Sequence, residues 1–153
     1  MVIMGTRRSL LLALLTLAAP LPAGAAADLA RAQLLFRQYM LLEGNFDAAL
    51  ADLYSDRAVI RNRRWAENGA AREVVIPADR YKQLIRSSMP VARAKGDRST
   101  YSDVNFFAEG DNVRIKATRF AVLKRYASPI SLLVGPGVGN QWQILEEISE
   151  SSP

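Results

Sequence analysis

Residues 46–60 have the sequence FDAALADLYSDRAVI, and this stretch decides the fold because its pattern changes from helical to extended within a few positions. The spacing of its apolar residues predicts a short helix over residues 46–54. Asp56 and Arg57 then turn the chain into a strand over residues 58–63. A short helix that leads directly into a strand predicts an α+β protein.

Two longer helices are predicted on either side of this stretch. Apolar residues spaced by three and four after Asp28, a natural N-cap, predict an amphipathic helix that ends before Gly44. A third helix is predicted over residues 77–94. Pro90 is expected to kink or divide that helix, because proline lacks a backbone amide hydrogen and clashes with the preceding turn.

The remainder of the chain changes to a period of two, which predicts antiparallel strands. One hairpin is expected from residues 100–108 and 113–126, joined by the turn EGDN. A second hairpin is expected from residues 131–134 and 141–149. The predicted fold class is therefore α+β, with three N-terminal helices packed on a curved antiparallel sheet.

Residues 1–27 have the pattern of a secretory signal peptide. Arg7 and Arg8 form a basic start, residues 10–17 form an apolar run, and small residues follow. The run is too short for a permanent membrane span, so we expect no stable membrane anchor after cleavage. We expect a mature domain of residues 28–153, either periplasmic or secreted. Adjacent arginines also occur in twin-arginine signals, but the strongly apolar run favours the general secretory route.

The composition excludes several kinds of chemistry. The chain has no cysteine and no histidine, which removes disulfides, thiolate catalysis, the usual general base and the commonest transition-metal ligand. We therefore predict no metal and no cofactor. The net charge of +5 is modest, and the basic cluster Arg61, Arg63 and Arg64 lacks interleaved aromatic residues. We expect no nucleic-acid partner.

The passage at residues 46–60 resembles the helix-to-strand passage of the NTF2-like superfamily, which includes nuclear transport factor 2, ketosteroid isomerases and polyketide cyclases of the SnoaL type. The order of elements and the closing strand WQILEE at residues 142–147 also fit, so the resemblance covers residues 28–153. It implies a conical pocket between helices and sheet, often apolar, in a protein that is often dimeric. Many members of the superfamily have no catalytic activity, so the resemblance implies a fold and no particular reaction.

The resemblance to ketosteroid isomerases can be tested at three positions. Their first-helix tyrosine corresponds to Tyr39, if one residue is gapped in the following turn. Their general-base aspartate corresponds to Asn62, which cannot accept a proton. Their second acid, a protonated aspartate, would fall near Ser131 in a run of isoleucine and leucine. Because one position of three matches, isomerase chemistry of that type is disfavoured.

Strand alternation identifies two charged residues on faces that are otherwise apolar. Arg119 shares its predicted face with Val113, Ile115 and Ala117, and Glu146 shares its predicted face with Trp142, Ile144 and Ile148. Because a lone charge on a core face is costly, Arg119 and Glu146 are expected to meet in or beside the cone. They form a structural ion pair, or Arg119 anchors a ligand carboxylate or phosphate.

The candidate pocket residues are Tyr39, Asn62, Tyr101, Asp103, Arg119, Trp142 and Glu146. Tyr101 and Asp103 share a predicted strand face, which either lines the pocket or faces solvent. Tyr39 and Trp142 also fit as core aromatic residues. Phe120 and Val122 are central to the predicted outer face of the sheet, and a homodimer contact is expected around them.

Three functions are compatible with these features. The leading hypothesis is an exported NTF2-like protein without catalytic activity, which binds a small or apolar ligand, or a protein partner, in its pocket or on its sheet face. The alternative is an isomerase, cyclase or hydrolase of the SnoaL or ketosteroid-isomerase type, with Glu146 or Asp103 as acid or base near Tyr39. The third is a soluble component of an envelope complex.

Overall fold

The computed structural model describes residues 22–152. Of the predicted signal peptide, only residues 22–27 fall within this range. The helices are α1 (Ala23–Gly44) and α2 (Ala78–Lys95), and the strands are β1 (Tyr54–Trp65), β2 (Ala71–Ile76), β3 (Ser99–Glu109), β4 (Asn112–Ala121), β5 (Tyr126–Pro136) and β6 (Trp142–Ser151). None of the helices within residues 22–152 is long and apolar enough to cross a membrane.

The helices differ from the prediction in three respects. The short helix after α1 is a 3-10 helix, Ala48–Leu53, so residues 22–152 contain two α-helices instead of the predicted three. Its first turn is held by the side chain of Asp47, which accepts a hydrogen bond from the amide of Ala49 at 2.9 Å. The first helix begins at Ala23, upstream of the predicted N-cap Asp28. Pro90 lies inside α2 and does not divide it.

The six strands form one sheet in the order β2-β1-β6-β5-β4-β3. Neighbouring strands are antiparallel except β1 and β6, which run parallel. The prediction of an antiparallel sheet is therefore wrong at the pair β1 and β6. Parallel pairing needs a long connection, and the chain supplies it because α2 and four strands lie between β1 and β6.

The strand register shifts at three places, between Tyr54 and Val59 of β1 and at β-bulges in β3 and β6, and the bulges in β3 and β6 affect the candidate residues. In β3, Ser102 pairs with Thr118 and Asn105 pairs with Lys116, so β3 carries one extra residue there. In β6, Ile144 and Glu146 pair with the consecutive residues Val134 and Leu133, which leaves Leu145 without a partner on β5. Each bulge moves the later residues of its strand to the opposite face.

The fourth strand is shorter than predicted. It ends at Ala121, and a turn over residues 122–125 leads into β5, where the prediction continued the strand to Tyr126. Arg125 has a φ of 58° in this turn. As a result, Lys124 lies outside the regular strand, and its side chain reaches the carbonyl of Ser152 at the end of the sheet.

The hydrophobic core lies between the two helices and one face of the sheet, and we call this space the cone. Its most deeply buried sheet residues are at most 1 % exposed: Ile60, Val113, Ile115, Leu132, Val134 and Ile144. From α1, Phe36 and Tyr39 pack into the same cluster, with their rings stacked at 5.9 Å. The core also contains polar groups, and these define the candidate site.

Candidate functional site

A cavity of about 330 Å³ opens at one end of the cone, and we call it the mouth cavity. Its charged and hydroxyl lining residues are Glu43, Ser88, Asp97, Ser99, Arg119, Lys124, Tyr126 and Ser151. Its apolar lining residues are Phe46, Met89, Ala92 and Ala121. A concave site with an apolar wall and a few converging polar groups is the usual form of a small-molecule pocket.

Arg119 lies on the wall of the mouth cavity, on the inner face of β4. This position confirms that it shares a face with Val113, Ile115 and Ala117. Its Nη2 donates to the backbone carbonyl of Glu150 at 3.0 Å. Burial acts against the guanidinium charge, but nearby acidic groups, the tyrosines and Glu147, outweigh it and raise the pKa of Arg119 above its usual value.

Glu43 lies opposite, at the C-terminal end of α1. It accepts a hydrogen bond from the hydroxyl of Tyr101 at 2.5 Å. Burial raises the pKa of Glu43 above its usual range, although Tyr101 and Arg119 act to lower it. A carboxyl group with a raised pKa on a cavity wall is a candidate proton donor or acceptor.

A second carboxylate, Glu147, lies deeper in the cone and is 1 % exposed. Its two oxygens accept hydrogen bonds from the hydroxyls of Tyr54 and Tyr81, the latter at 3.0 Å. Burial, followed by the nearby Glu147, raises the pKa of each tyrosine well above its usual value, so both remain protonated donors. Glu147 is not among the residues that line the mouth cavity.

Tyr39 lies near both acidic groups, Glu43 and Glu147. It is 3 % exposed and packs edge-on against Tyr101, with ring centroids 6.0 Å apart. Burial raises the pKa of Tyr39 well above its usual value, and Tyr101, Glu147 and Glu43 act in the same direction. The interior of the cone is therefore lined with phenol groups between an outer acid, Glu43, and an inner acid, Glu147.

The predicted meeting of Arg119 and Glu146 is wrong. The bulge at Leu145 moves Glu146 to the outer face of the sheet, where its Oε1 lies 2.6 Å from Nη1 of Arg114. Arg114 also pairs with Glu109, with Nε to Oε2 at 3.0 Å. The glutamate that the bulge turns into the cone is Glu147, the next residue along the chain.

The second bulge separates Tyr101 from Asp103. Tyr101 precedes the bulge and points into the cone, where its ring contacts Phe36 at 5.6 Å. Asp103 sits within the bulge with a φ of 53° and is exposed. Beyond it, Val104 packs against the core. The prediction that Tyr101 and Asp103 share a face is therefore wrong, and neither Asp103 nor Glu146 can serve as a pocket acid.

Asn62 and Trp142 occupy different ends of the cone. Asn62 donates to the hydroxyl of Ser149 at 3.1 Å and accepts from that of Ser151 at 2.8 Å, so it ties β1 to β6 beside the mouth cavity. Trp142 lies at the opposite end of β6, where it borders a shallow groove with Gln38 on α1. Within residues 22–152, the Nε1 of Trp142 is buried without a hydrogen-bond partner.

Several residues of the site were not among the predicted candidates, and these include Glu43, Tyr81, Lys124 and Glu147. Glu43 lies four positions after Tyr39, so helical spacing already places both on one face of α1. Tyr81 lies four positions before the buried Ile85, which gives it the same signal on α2. Lys124 depends on the early end of β4, and Glu147 on the bulge, and neither feature has a sequence signal.

A larger cavity, of about 690 Å³, lies elsewhere on the surface. It is bordered by Asp56, Lys82, Val138 and neighbouring residues at the start of β1 and the β5–β6 turn. Its lining residues are exposed or half-buried, and Val138 is 87 % exposed. The mouth cavity differs because it combines buried apolar side chains, Phe46 and Met89, with the half-buried charged groups of Glu43 and Arg119. In the part of the chain that the structure describes, there is no group of three or more acidic residues arranged to hold a metal.

No protein-family model and no curated protein matches the sequence. Solved structures match the fold. A proposed dehydratase of the NTF2-like family from Streptomyces avermitilis aligns with 82 % of this chain and 96 % of its own length, at 12 % identity and a TM-score of 0.60. An NTF2-like protein of unknown function from Shewanella oneidensis aligns with 80 % of this chain and 98 % of its own, at 12 % identity and a TM-score of 0.59.

An NTF2-like protein with a cystatin-like fold from Novosphingobium aromaticivorans is also similar. It aligns with 82 % of this chain and 82 % of its own length, at 16 % identity and a TM-score of 0.55. At these identities the likeness establishes a common fold and no common activity. The chain has the NTF2-like fold, and the predicted α+β class is confirmed.

Proposed function

We propose that this protein binds a small molecule in the mouth cavity without converting it. The mouth cavity is the observation that carries this proposal, because it joins an apolar wall to partly buried charged groups at the open end of the cone. The acids that the sequence offered for catalysis, Asp103 and Glu146, lie outside it. Export to the periplasm or the medium is part of the proposal and rests on the signal-like pattern of residues 1–27.

A fluorescent probe tests ligand binding. N-phenyl-1-naphthylamine is uncharged and becomes fluorescent in apolar surroundings, so saturable fluorescence with the purified protein is expected. Ala121→Phe places a ring in the mouth cavity and should abolish this binding. Ala108→Phe is the matched control, because Ala108 is exposed on a strand and does not line the cavity. Equal binding by wild type and Ala121→Phe, or no saturable binding by wild type, would contradict the proposal.

Acid–base catalysis at Glu43 is the second candidate function. It is favoured by the raised pKa of that carboxyl group on the cavity wall, next to the Tyr101 hydroxyl. The similar structure described as a proposed dehydratase is compatible with it. A screen of dehydration and isomerisation substrates tests this candidate. Turnover that Glu43→Gln abolishes and Glu146→Gln leaves intact would favour the enzyme over the binding protein.

A further inference from the structure

The guanidinium of Arg119 has more hydrogen-bonding capacity than its surroundings use. An arginine side chain carries five N–H donors, and among the described residues one of these, on Nη2, donates to the carbonyl of Glu150. No carboxylate of the described residues lies within 4.0 Å of it. Among the described residues, none of the Arg119 nitrogens is both buried and without a partner, so the unused donors are accessible, and the side chain lines the mouth cavity.

Two further donors border the same cavity, beyond the early end of β4. The Nζ of Lys124 donates to the carbonyl of Ser152 at 3.0 Å, which fixes the ammonium group beside the cavity. The hydroxyl of Tyr126 accepts from the amide of Ser152 at 3.2 Å, so its own hydrogen remains available to donate. The β4–β5 turn and the C-terminal residues thus hold an ammonium and a phenol near Arg119.

The two acids on the cavity wall form no ion pair with Arg119 or Lys124 within residues 22–152. Glu43 accepts its hydrogen bond from Tyr101, at 2.5 Å. Asp97 is exposed, so water screens its charge. The cavity wall also has an apolar part, which includes Phe46 and Met89.

We infer that the ligand of the mouth cavity is an organic carboxylate with an apolar body, whose anionic group is bound by Arg119 with Lys124 and Tyr126. This inference rests on the proposed ligand-binding function and adds the chemical class of the ligand. The planar guanidinium can donate two parallel hydrogen bonds to the two oxygens of a carboxylate. A neutral amide of the same shape has one such oxygen and no negative charge, so it should bind less tightly. Phe46 and Met89 contact the apolar body.

The test compares 2-naphthoate with 2-naphthamide, which share an aromatic body and differ in charge. Each compound displaces N-phenyl-1-naphthylamine from the purified protein, and the fluorescence loss gives its affinity. We expect 2-naphthoate to bind at least about tenfold more tightly than 2-naphthamide. Arg119→Gln should remove this preference and leave 2-naphthamide binding unchanged. Arg72→Gln is the control, since Arg72 is an exposed arginine on β2 outside the cavity.

The outcomes separate this inference from the proposed function. If the uncharged probe binds but acid and amide compete equally, the ligand class is wrong and the binding site stands. If no probe binds saturably, both fail. If Arg119→Gln does not fold, the wild-type preference for 2-naphthoate and its reduction in Lys124→Gln decide. A preference that neither variant reduces would overturn the assignment to this donor group.

Discussion

Tyr54, the first residue of β1, donates its hydroxyl hydrogen to Glu147, which is buried on the neighbouring strand β6. Tyr81 on α2 donates to the other oxygen of the same carboxylate at 3.0 Å. The three residues therefore connect the parallel pair of strands to the helix that covers it. A buried carboxylate with two donors is stable only while both remain, because the charge has no water to replace them.

Removing this carboxylate should strongly destabilise the protein. Glu147→Ala leaves two buried hydroxyls without an acceptor and creates a cavity, so the free energy of unfolding should fall by roughly 3–5 kcal/mol. Tyr81→Phe removes one hydrogen bond to a charged group and should cost about 1.5–3 kcal/mol. Urea denaturation measures both. Glu146→Ala, at the adjacent position on the outer face, should cost only about 1 kcal/mol. Equal losses at positions 146 and 147 would contradict the assigned faces.

Arg114 and Glu146 should be energetically coupled, whereas Arg119 and Glu146 should not. Arg114 touches Glu146 on the outer face, with 2.6 Å between Nη1 and Oε1. A double-mutant cycle of Arg114→Gln with Glu146→Gln should give a coupling free energy of about 0.5–1 kcal/mol. The cycle of Arg119→Gln with Glu146→Gln should be additive within about 0.5 kcal/mol. Coupling of Arg119 and not Arg114 to Glu146 would mean that β6 has no bulge.

The raised pKa of Glu43 predicts a specific pH dependence of stability. Burial favours the protonated carboxyl of Glu43 in the folded state. The contribution of Glu43 to the free energy of unfolding is therefore fully present below the ordinary pKa of 4.5 and is lost as pH rises through the pKa of the folded state. Glu43→Gln should therefore gain stability relative to wild type as pH increases through that window. Chemical denaturation of both proteins between about pH 4 and pH 8 measures this difference. Parallel stability curves would show that Glu43 titrates normally.

The outer face of the sheet should support a homodimer. It exposes Phe107, Phe120 and Ile148 to 49 %, 39 % and 41 %, and apolar groups of this kind mark interaction surfaces when they are contiguous. Light scattering at micromolar concentration should give twice the chain mass for wild type and the monomer mass for Phe120→Glu. Val138→Glu is the control, because Val138 is exposed in the β5–β6 turn. A monomeric wild type would exclude the dimer.

The sequence predicted the order of elements well because most of its strands and helices have regular periods. Phe36 and Tyr39 follow helical spacing and are buried, and Val113 and Ile115 follow strand alternation and are buried. The site was harder to predict because its inner acid, Glu147, depends on a bulge, a feature without a periodic signal. A bulge changes the face of every residue beyond it, and Leu145 does not differ from an ordinary strand residue.

The face of Arg119 was predicted correctly and the face of Glu146 was not. The difference depends on whether the alternation of the strand is interrupted before the residue. Arg119 follows an uninterrupted alternation from Val113 along β4, so counting by two gives its face. Glu146 follows an interrupted one. Tyr101 and Asp103 repeat this contrast on β3, where Tyr101 precedes the interruption and Asp103 lies within it. Alternation thus places residues reliably up to the first bulge of a strand.

Leu145, which has no partner on β5, also determines which residues of β6 face the cone and which face outward. In an uninterrupted β6, Ile148 would enter the cone, and Ser149, which now bonds to Asn62, would face outward. The cone would then be more apolar along β6, and the outer face would lose Ile148, which is 41 % exposed. The one extra residue therefore reverses the faces of the later half of β6. As a result, the polar side chains of Glu147 and Ser149 lie inside the cone and the apolar Ile148 lies on the outer face.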